Sequence, residues 1–144
     1  MTDKPLRFHQ LTEKLRQHGY RMTPQRLALI QQIAASDGHP NAANLFNSVK
    51  EQYPTMSLGT VYKTLELLKE LNEIIEINFH GVSHYDGSKP YSHPHIICTN
   101  CGKIIDGDML ESMSKLVREV EQTMKFKVQR HQLNFYGLCS ECQN

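Results

Sequence analysis

Residues 57–86 read SLGTVYKTLELLKELNEIIEINFHGVSHYD, and the spacing of apolar residues changes partway through. Ser57 precedes Val61, Leu65 and Leu68 at helical spacing, which predicts a capped helix with one buried stripe. After Asn72 come Ile74, Ile75, Ile77 and Phe79, a turn at His80-Gly81, and a return through His84-Tyr85-Asp86, which predicts a short β-hairpin. Upstream, Leu11 and Leu15 mark a first helix that ends at Gly19. Thr23-Pro24 supplies an N-cap and a proline at the first helical position for a second, with Leu27, Ile30 and Ile33 as its stripe and Ser36-Asp37-Gly38 as its close. A third starts near Asn41, carries Leu45, Phe46 and Val49, and stops at Tyr53-Pro54. Three helices, a fourth of recognition type and then a hairpin is the order of a winged helix-turn-helix, an architecture that reads DNA. A helical bundle with an added hairpin is the plainer alternative. Ser57, Thr60, Tyr62, Lys63 and Thr64 lie off the apolar stripe near the start of the fourth helix, where hydroxyls and a cation can meet phosphates and base edges. Arg21 and Arg26 flank the same region. Each residue alone is an ordinary solvated side chain, and only the combination points to DNA.

Downstream, Gly87-Ser88-Lys89-Pro90 reads as a linker and sets a boundary near residue 88. The expected domains are 1–86 and 87–144, with a hinge at about 84–92. Ile96-Ile97 and Ile104-Ile105 predict strands, Met109 to Met124 an amphipathic helix, and Phe126 to Phe135 a final strand by its alternation. The stripe of that helix is Met109, Met113, Leu116, Val117, Val120 and Met124. The fold class is therefore α+β, a winged-helix domain followed by a small α/β domain. About 55 residues make a small core, and a β-α-β unit with an exposed strand edge is a natural dimer interface.

The four cysteines form two Cys-x-x-Cys pairs, Cys98 with Cys101 and Cys139 with Cys142. Two-residue spacing lets both thiolates of a pair face one tetrahedral ion, and two such knuckles complete a structural zinc shell. Gly102 and Gly137 supply the backbone freedom expected of such turns. A disulfide or a redox-active pair is the alternative reading, disfavoured in a reducing compartment. A second constellation is imidazole and carboxylate: His80, His84, His93 and His95 with Asp86, then Asp106 and Asp108, while His39 stands alone at a helix-helix turn. That ligand class suits divalent iron, manganese, zinc, nickel or cobalt, and the alternative is a set of surface histidines near a loop.

The chain has 144 residues, 39% hydrophobic and 22% charged, with a formal net charge of +1. These values fit an ordinary globular protein and argue against intrinsic disorder. No apolar run approaches the roughly 20 residues of a membrane helix, and no secretory signal pattern opens the chain, so a cytoplasmic protein with no membrane partner is expected. Residues 1–80 hold nine Lys or Arg against eight Asp or Glu, so global charge says nothing about DNA.

The segments GYRMTPQR, SLGTVYKTLELL, HPHIICTNCGKI and YGLCSEC together resemble the ferric-uptake-regulator (Fur) family of metal-responsive repressors, over nearly the whole chain. The resemblance implies an N-terminal winged helix, a C-terminal dimerisation domain, a homodimer and a double-stranded DNA operator. It also implies structural Zn2+ on Cys98, Cys101, Cys139 and Cys142, and a regulatory Fe2+ or Mn2+ on His39, Asp86, His93, His95 and Asp106. Asp86 and Asp106, where iron-uptake members commonly have glutamate, resemble the peroxide-sensing (PerR) branch. In that branch iron-catalysed oxidation by hydrogen peroxide strikes ligand histidines, here His39 and His93. Lys63 is instead similar to the basic residue of iron-uptake members, and a reversible iron or manganese regulator is the alternative. His131 matches one ligand of a further metal site of many iron-uptake members, whereas Ser92, Pro94 and Met113 stand where other ligands are expected. A zinc hydrolase would need an open metal position and a general base, and no His-Glu-x-x-His occurs. A thiol oxidoreductase would need a cysteine free of metal. The expectation is a regulator, with no enzymatic activity and no small organic substrate.

Overall fold

A computed structural model describes residues 3–143, which form two compact units, the first running through Pro90 and the second beginning at Tyr91. The first unit is built of α1 (Lys4–Gln17), α2 (Pro24–Ala35), α3 (Ala42–Val49) and α4 (Leu58–Glu70), followed by the antiparallel hairpin of β1 (Ile75–Phe79) and β2 (Val82–Asp86). Each helix begins with a side chain that accepts a hydrogen bond from an otherwise orphaned backbone N–H: Asp3 from Leu6, Thr23 from Arg26, Asn41 from Asn44 and Ser57 from Thr60. Two helices end alike. Gly19 (φ +81°) and Asn72 (φ +59°) turn left-handed, while Tyr20 N–H reaches the Leu15 carbonyl and Glu73 N–H the Leu68 carbonyl. His80 and Gly81, both at positive φ, form the two-residue hairpin turn that right-twisted strands favour.

The core of this unit joins Leu11 and Leu15, Leu29, Ile30 and Ile33, Leu45 and Val49, and Val61, Leu65 and Leu68 with Ile74 and Tyr85 of the hairpin. In α2 Leu29 is buried with Ile30, Ile33 and Ala34, while Leu27, expected in the stripe, is half-buried. Ile30 and Ile33 set the inward direction, and position 29 lies closer to it than position 27. Lys69 Nζ of α4 meets Glu76 Oε1 of β1 at 2.8 Å, and across the hairpin the Tyr85 hydroxyl donates to Glu76 Oε2 at 3.2 Å. Asn41 is held by a reciprocal capping box with Asn44, at 2.8 and 3.0 Å. Asn41→Ala is expected to lower stability by about 1 kcal/mol, readable as a lower urea midpoint with an unchanged slope.

The second unit carries β3 (His95–Cys98), β4 (Ile104–Asp106), α5 (Leu110–Met124) and β5 (Asn134–Gly137), in a sheet of order β4-β3-β5. β3 is antiparallel to β4 and parallel to β5, with α5 in the long connection that a parallel pair requires. The final strand is shorter than the alternation of Phe126 to Phe135 predicts. β3 offers only four residues for pairing, and Asn134–Gly137 use all of them. Residues 126–133 stay outside the strand; Lys125 turns left-handed (φ +51°), and Val128 N–H donates to Glu121 Oε2. α5 ends at Met124 as predicted and begins one residue later than Met109, which is its N-cap, but of its apolar stripe only Met113 is buried; Leu116, Val120 and Met124 face outward.

Candidate metal centres and nucleic-acid interface

The cysteine cluster lies within the second unit. Cys98 ends β3, where it pairs with Gly137 of β5, so the two knuckles leave adjacent strands. Gly102 turns at φ +76° with its N–H on the Cys98 carbonyl, as the spacing requires. Gly137 is not a turn residue: it is extended in β5, and its carbonyl accepts from Thr99 N–H. Strand pairing, which spacing does not reveal, claims that glycine. The four thiols are free, and their sulfurs all lie within 4.8 Å of one another. Cys101 Sγ and Cys139 Sγ are 3.9 Å apart. Zinc with Zn–S bonds of about 2.3 Å places tetrahedral sulfurs roughly 3.8 Å apart, so the cage fits that ion.

The electrostatics agree. The backbone N–H groups of Cys101 and Cys139 hold the Cys98 thiol down at about 6. Cys142, against the pull of the Asn100 amide, is pushed up to about 11 by the sulfur of Cys139, by burial and by the other two sulfurs. Four sulfurs this close share their protons unevenly, and a divalent cation lets all four ionise.

The imidazoles and carboxylates form two sets, one in each unit. In the first, His39 Nε2 lies 3.2 Å from Asp86 Oδ2, both side chains buried. The α2–α3 loop is fastened to β2 to make this pair: Tyr85 N–H donates to the Pro40 carbonyl, and the His84 ring sits 2.9 Å from the His39 carbonyl. His84 therefore holds the loop that carries His39, and His80 stacks on Phe79 at the turn. In the second set, His93 Nε2 and His95 Nε2 lie 3.3 and 3.5 Å from Asp106 Oδ1. β3–β4 pairing puts His95 directly opposite Asp106, and the Pro94 carbonyl accepts from Gly107 N–H.

The chemistry of His93 calls for a cation in the second set. Its Nδ1 faces the Tyr91 carbonyl at 3.1 Å, which makes Nδ1 the protonated nitrogen of the neutral ring. Nε2 then presents a lone pair to a carboxylate oxygen, and two acceptors face each other. A cation between them, a proton or a metal, resolves the conflict, and a carbonyl on the far nitrogen is the usual support of a metal-bound histidine.

In α4, Tyr62 and Lys63 are exposed, Ser57 is exposed, and Thr60 is half-buried with its hydroxyl 3.0 Å from that of Ser57. Thr64 is a correction to the sequence reading. It is fully buried, its hydroxyl donating to the Thr60 carbonyl at 2.9 Å, because it shares the inward face with Val61, Leu65 and Leu68. A threonine satisfied this way packs as an apolar residue does, so polarity alone misplaced it. Arg21 is exposed, and Arg26 is half-buried with Nη1 on the Arg21 carbonyl at 2.6 Å. His131 lines an apolar groove of about 290 Å³ beside α5. Sequence reasoning missed Arg7, which is buried in α1 and bonded to both ends of the hairpin. Nothing in its local sequence separates it from a surface arginine.

These features define a class of protein in which a DNA-reading helical unit accompanies a thiolate cage and an imidazole-carboxylate centre. Residues 17–136 match the ferric uptake regulator family, and the chain belongs to it. It is similar to the ferric uptake regulation protein of Bacillus subtilis (strain 168), 37% identical over 143 residues that cover 94% of each chain. It is also similar to the peroxide-responsive repressor PerR of Staphylococcus aureus (strain USA300), 32% identical over 94% of this chain and 93% of that one. Among solved structures it resembles the Campylobacter jejuni peroxide stress regulator, with 31% identity, a TM-score of 0.73, and coverage of 91% and 98%. Members of the family are metal-dependent transcriptional regulators and not enzymes. No helix of the described residues is long and apolar enough to cross a membrane.

Proposed function

We propose that this protein is a cytoplasmic, homodimeric repressor whose grip on a DNA operator is set by one regulatory metal, and that it responds to hydrogen peroxide. The observation that carries the metal reading is the pair of facing acceptors, His93 Nε2 and Asp106 Oδ1, beside a second imidazole-carboxylate pair, His39 and Asp86, at 3.2 Å. Neither set fills a coordination sphere by itself: one has two side chains and the other three. As the family resemblance implies, we assign the regulatory metal to His39, Asp86, His93, His95 and Asp106, nitrogen and oxygen donors suited to Fe2+ or Mn2+. A metal held by both units restrains the DNA-reading units of a dimer, so metal and operator each raise affinity for the other by one factor.

Arg21, Arg26, Ser57, Thr60, Tyr62 and Lys63 form the DNA-facing set, in the unit through Pro90, with phosphate contacts from the arginines and base-edge contacts from α4. The unit from Tyr91 onward dimerises through the apolar stripe of α5 and its neighbours Phe126 and Phe135, which are exposed in a single chain. The cysteine cage holds Zn2+ and keeps that unit folded.

Ferrous iron held by these residues would supply the electron that reduces hydrogen peroxide, and the imidazoles of His39 and His93 would be the groups oxidised. Two aspartates rather than glutamates in the ligand set support this reading. Lys63 and the 37% identity to the Bacillus protein favour the second reading, an iron or manganese regulator that loses its metal reversibly. The two separate in one experiment. Zinc-containing protein is loaded with Fe2+ anaerobically, given limited hydrogen peroxide, and its peptides are weighed. An added oxygen on His39 or His93, absent with Mn2+, is the expected result, whereas unmodified histidines at full iron occupancy support the reversible regulator.

A further inference from the structure

Arg7 is 2% exposed, yet it takes no part in the metal-holding or DNA-facing sets. Its guanidinium joins the two ends of the hairpin. Nε donates to the Gly87 carbonyl at 2.7 Å, Nη2 to the Glu73 carbonyl at 2.7 Å, and Nη1 to Glu73 Oε2 at 3.0 Å. Glu73 lies just before β1, and Gly87 directly follows Asp86, the last residue of β2. Burying a guanidinium is costly, and here a single ion pair with a partly exposed glutamate offsets it. An apolar side chain would pack α1 at lower cost. What only a planar fork supplies is simultaneous bonding of two carbonyls. The Gly87 backbone packs closely here: a Cβ on that residue would lie 2.6 Å from the Cγ2 methyls of both Ile33 and Ile74.

We infer that Arg7 is a positioning residue for the regulatory metal: by clamping the Gly87 carbonyl against that of Glu73, its fork sets the backbone of Asp86 and thereby the carboxylate that faces His39. The inference rests on the proposed role of Asp86 as a ligand. A supporting group of this kind shifts metal affinity without touching the metal.

The test uses full-length, zinc-containing protein, with Mn2+ affinity read by electron paramagnetic resonance and amide hydrogen exchange at residues 86–88 read before Mn2+ is added. Arg7→Lys keeps the charge but cannot span both carbonyls; about ten-fold weaker Mn2+ binding and faster exchange are expected. Glu73→Gln removes the ion pair and leaves the main-chain carbonyl in place; affinity like that of the unaltered chain is expected. Unchanged Mn2+ affinity in Arg7→Lys overturns the inference, as does an equal loss in both variants, the mark of a charge that merely stabilises the unit. If Arg7→Lys does not fold, Gly87→Ala displaces the same carbonyl from the acceptor side; weaker binding supports the clamp, and unchanged binding overturns it. Mn2+ affinity of the unaltered chain that Asp86→Ala leaves intact overturns the metal-site reading itself, and the inference with it, so the two failures are distinguishable.

Discussion

Cys98→Ser and Cys142→Ser are expected to unfold the second unit and abolish dimerisation. Among the described residues from Tyr91 onward, Ile97, Cys98 and Met113 are the buried hydrophobic side chains, and so small a core cannot offset the entropy of ordering the chain. The cage does what the core cannot. It fastens the end of the chain, at Cys139 and Cys142, to the end of β3 at Cys98, and a structural zinc site contributes on the order of 10 kcal/mol to folding. A three-sulfur remnant leaves that contribution mostly unrealised. Zinc content by mass spectrometry, helical circular dichroism and sedimentation should fall together in both variants. A zinc-free serine variant that still sediments as a dimer and unfolds cooperatively would refute the structural role of the cage.

Asp106→Ala is expected to give the opposite phenotype, with folding intact and metal response lost. Asp106 faces both His93 and His95 through the same oxygen, so its removal strips the second set of its anion. Loss of an outer-shell partner typically costs about 10- to 100-fold in metal affinity, and loss of a ligand should cost at least as much. Asp106 is at the end of a three-residue strand and partly exposed, so the cost to folding is small by comparison. Operator binding measured against Mn2+ concentration at fixed salt should therefore become flat, while thermal unfolding and zinc content stay near those of the unaltered chain. A variant that keeps metal-dependent DNA affinity removes Asp106 from the site. Because the Tyr91 carbonyl orients the His93 ring toward Asp106, His93→Ala should reproduce the same flat response by removing that imidazole.

Local chemistry alone determined the helices, the hairpin and each cysteine knuckle. Caps such as Thr23-Pro24 and Ser57, stops such as Gly19 and Asn72, and the His80-Gly81 turn act over a few residues, so they are written directly in the chain. Cys-x-x-Cys spacing likewise fixes each knuckle by itself. Partnership between distant residues was decided elsewhere. The segment around Phe126 has the alternation of a strand, yet only Asn134–Gly137 find a neighbour in β3. Thr64 looks like a surface hydroxyl until its helix is packed, and Gly137 looks like a turn residue until it is paired. His39 joins Asp86 because β2 bonds to the loop that carries it, a contact across more than 40 residues of chain. Arg7 shows the same limit most sharply. A buried guanidinium is tolerable only where carbonyls and a carboxylate from remote segments converge on it, and that convergence is a property of the folded unit alone.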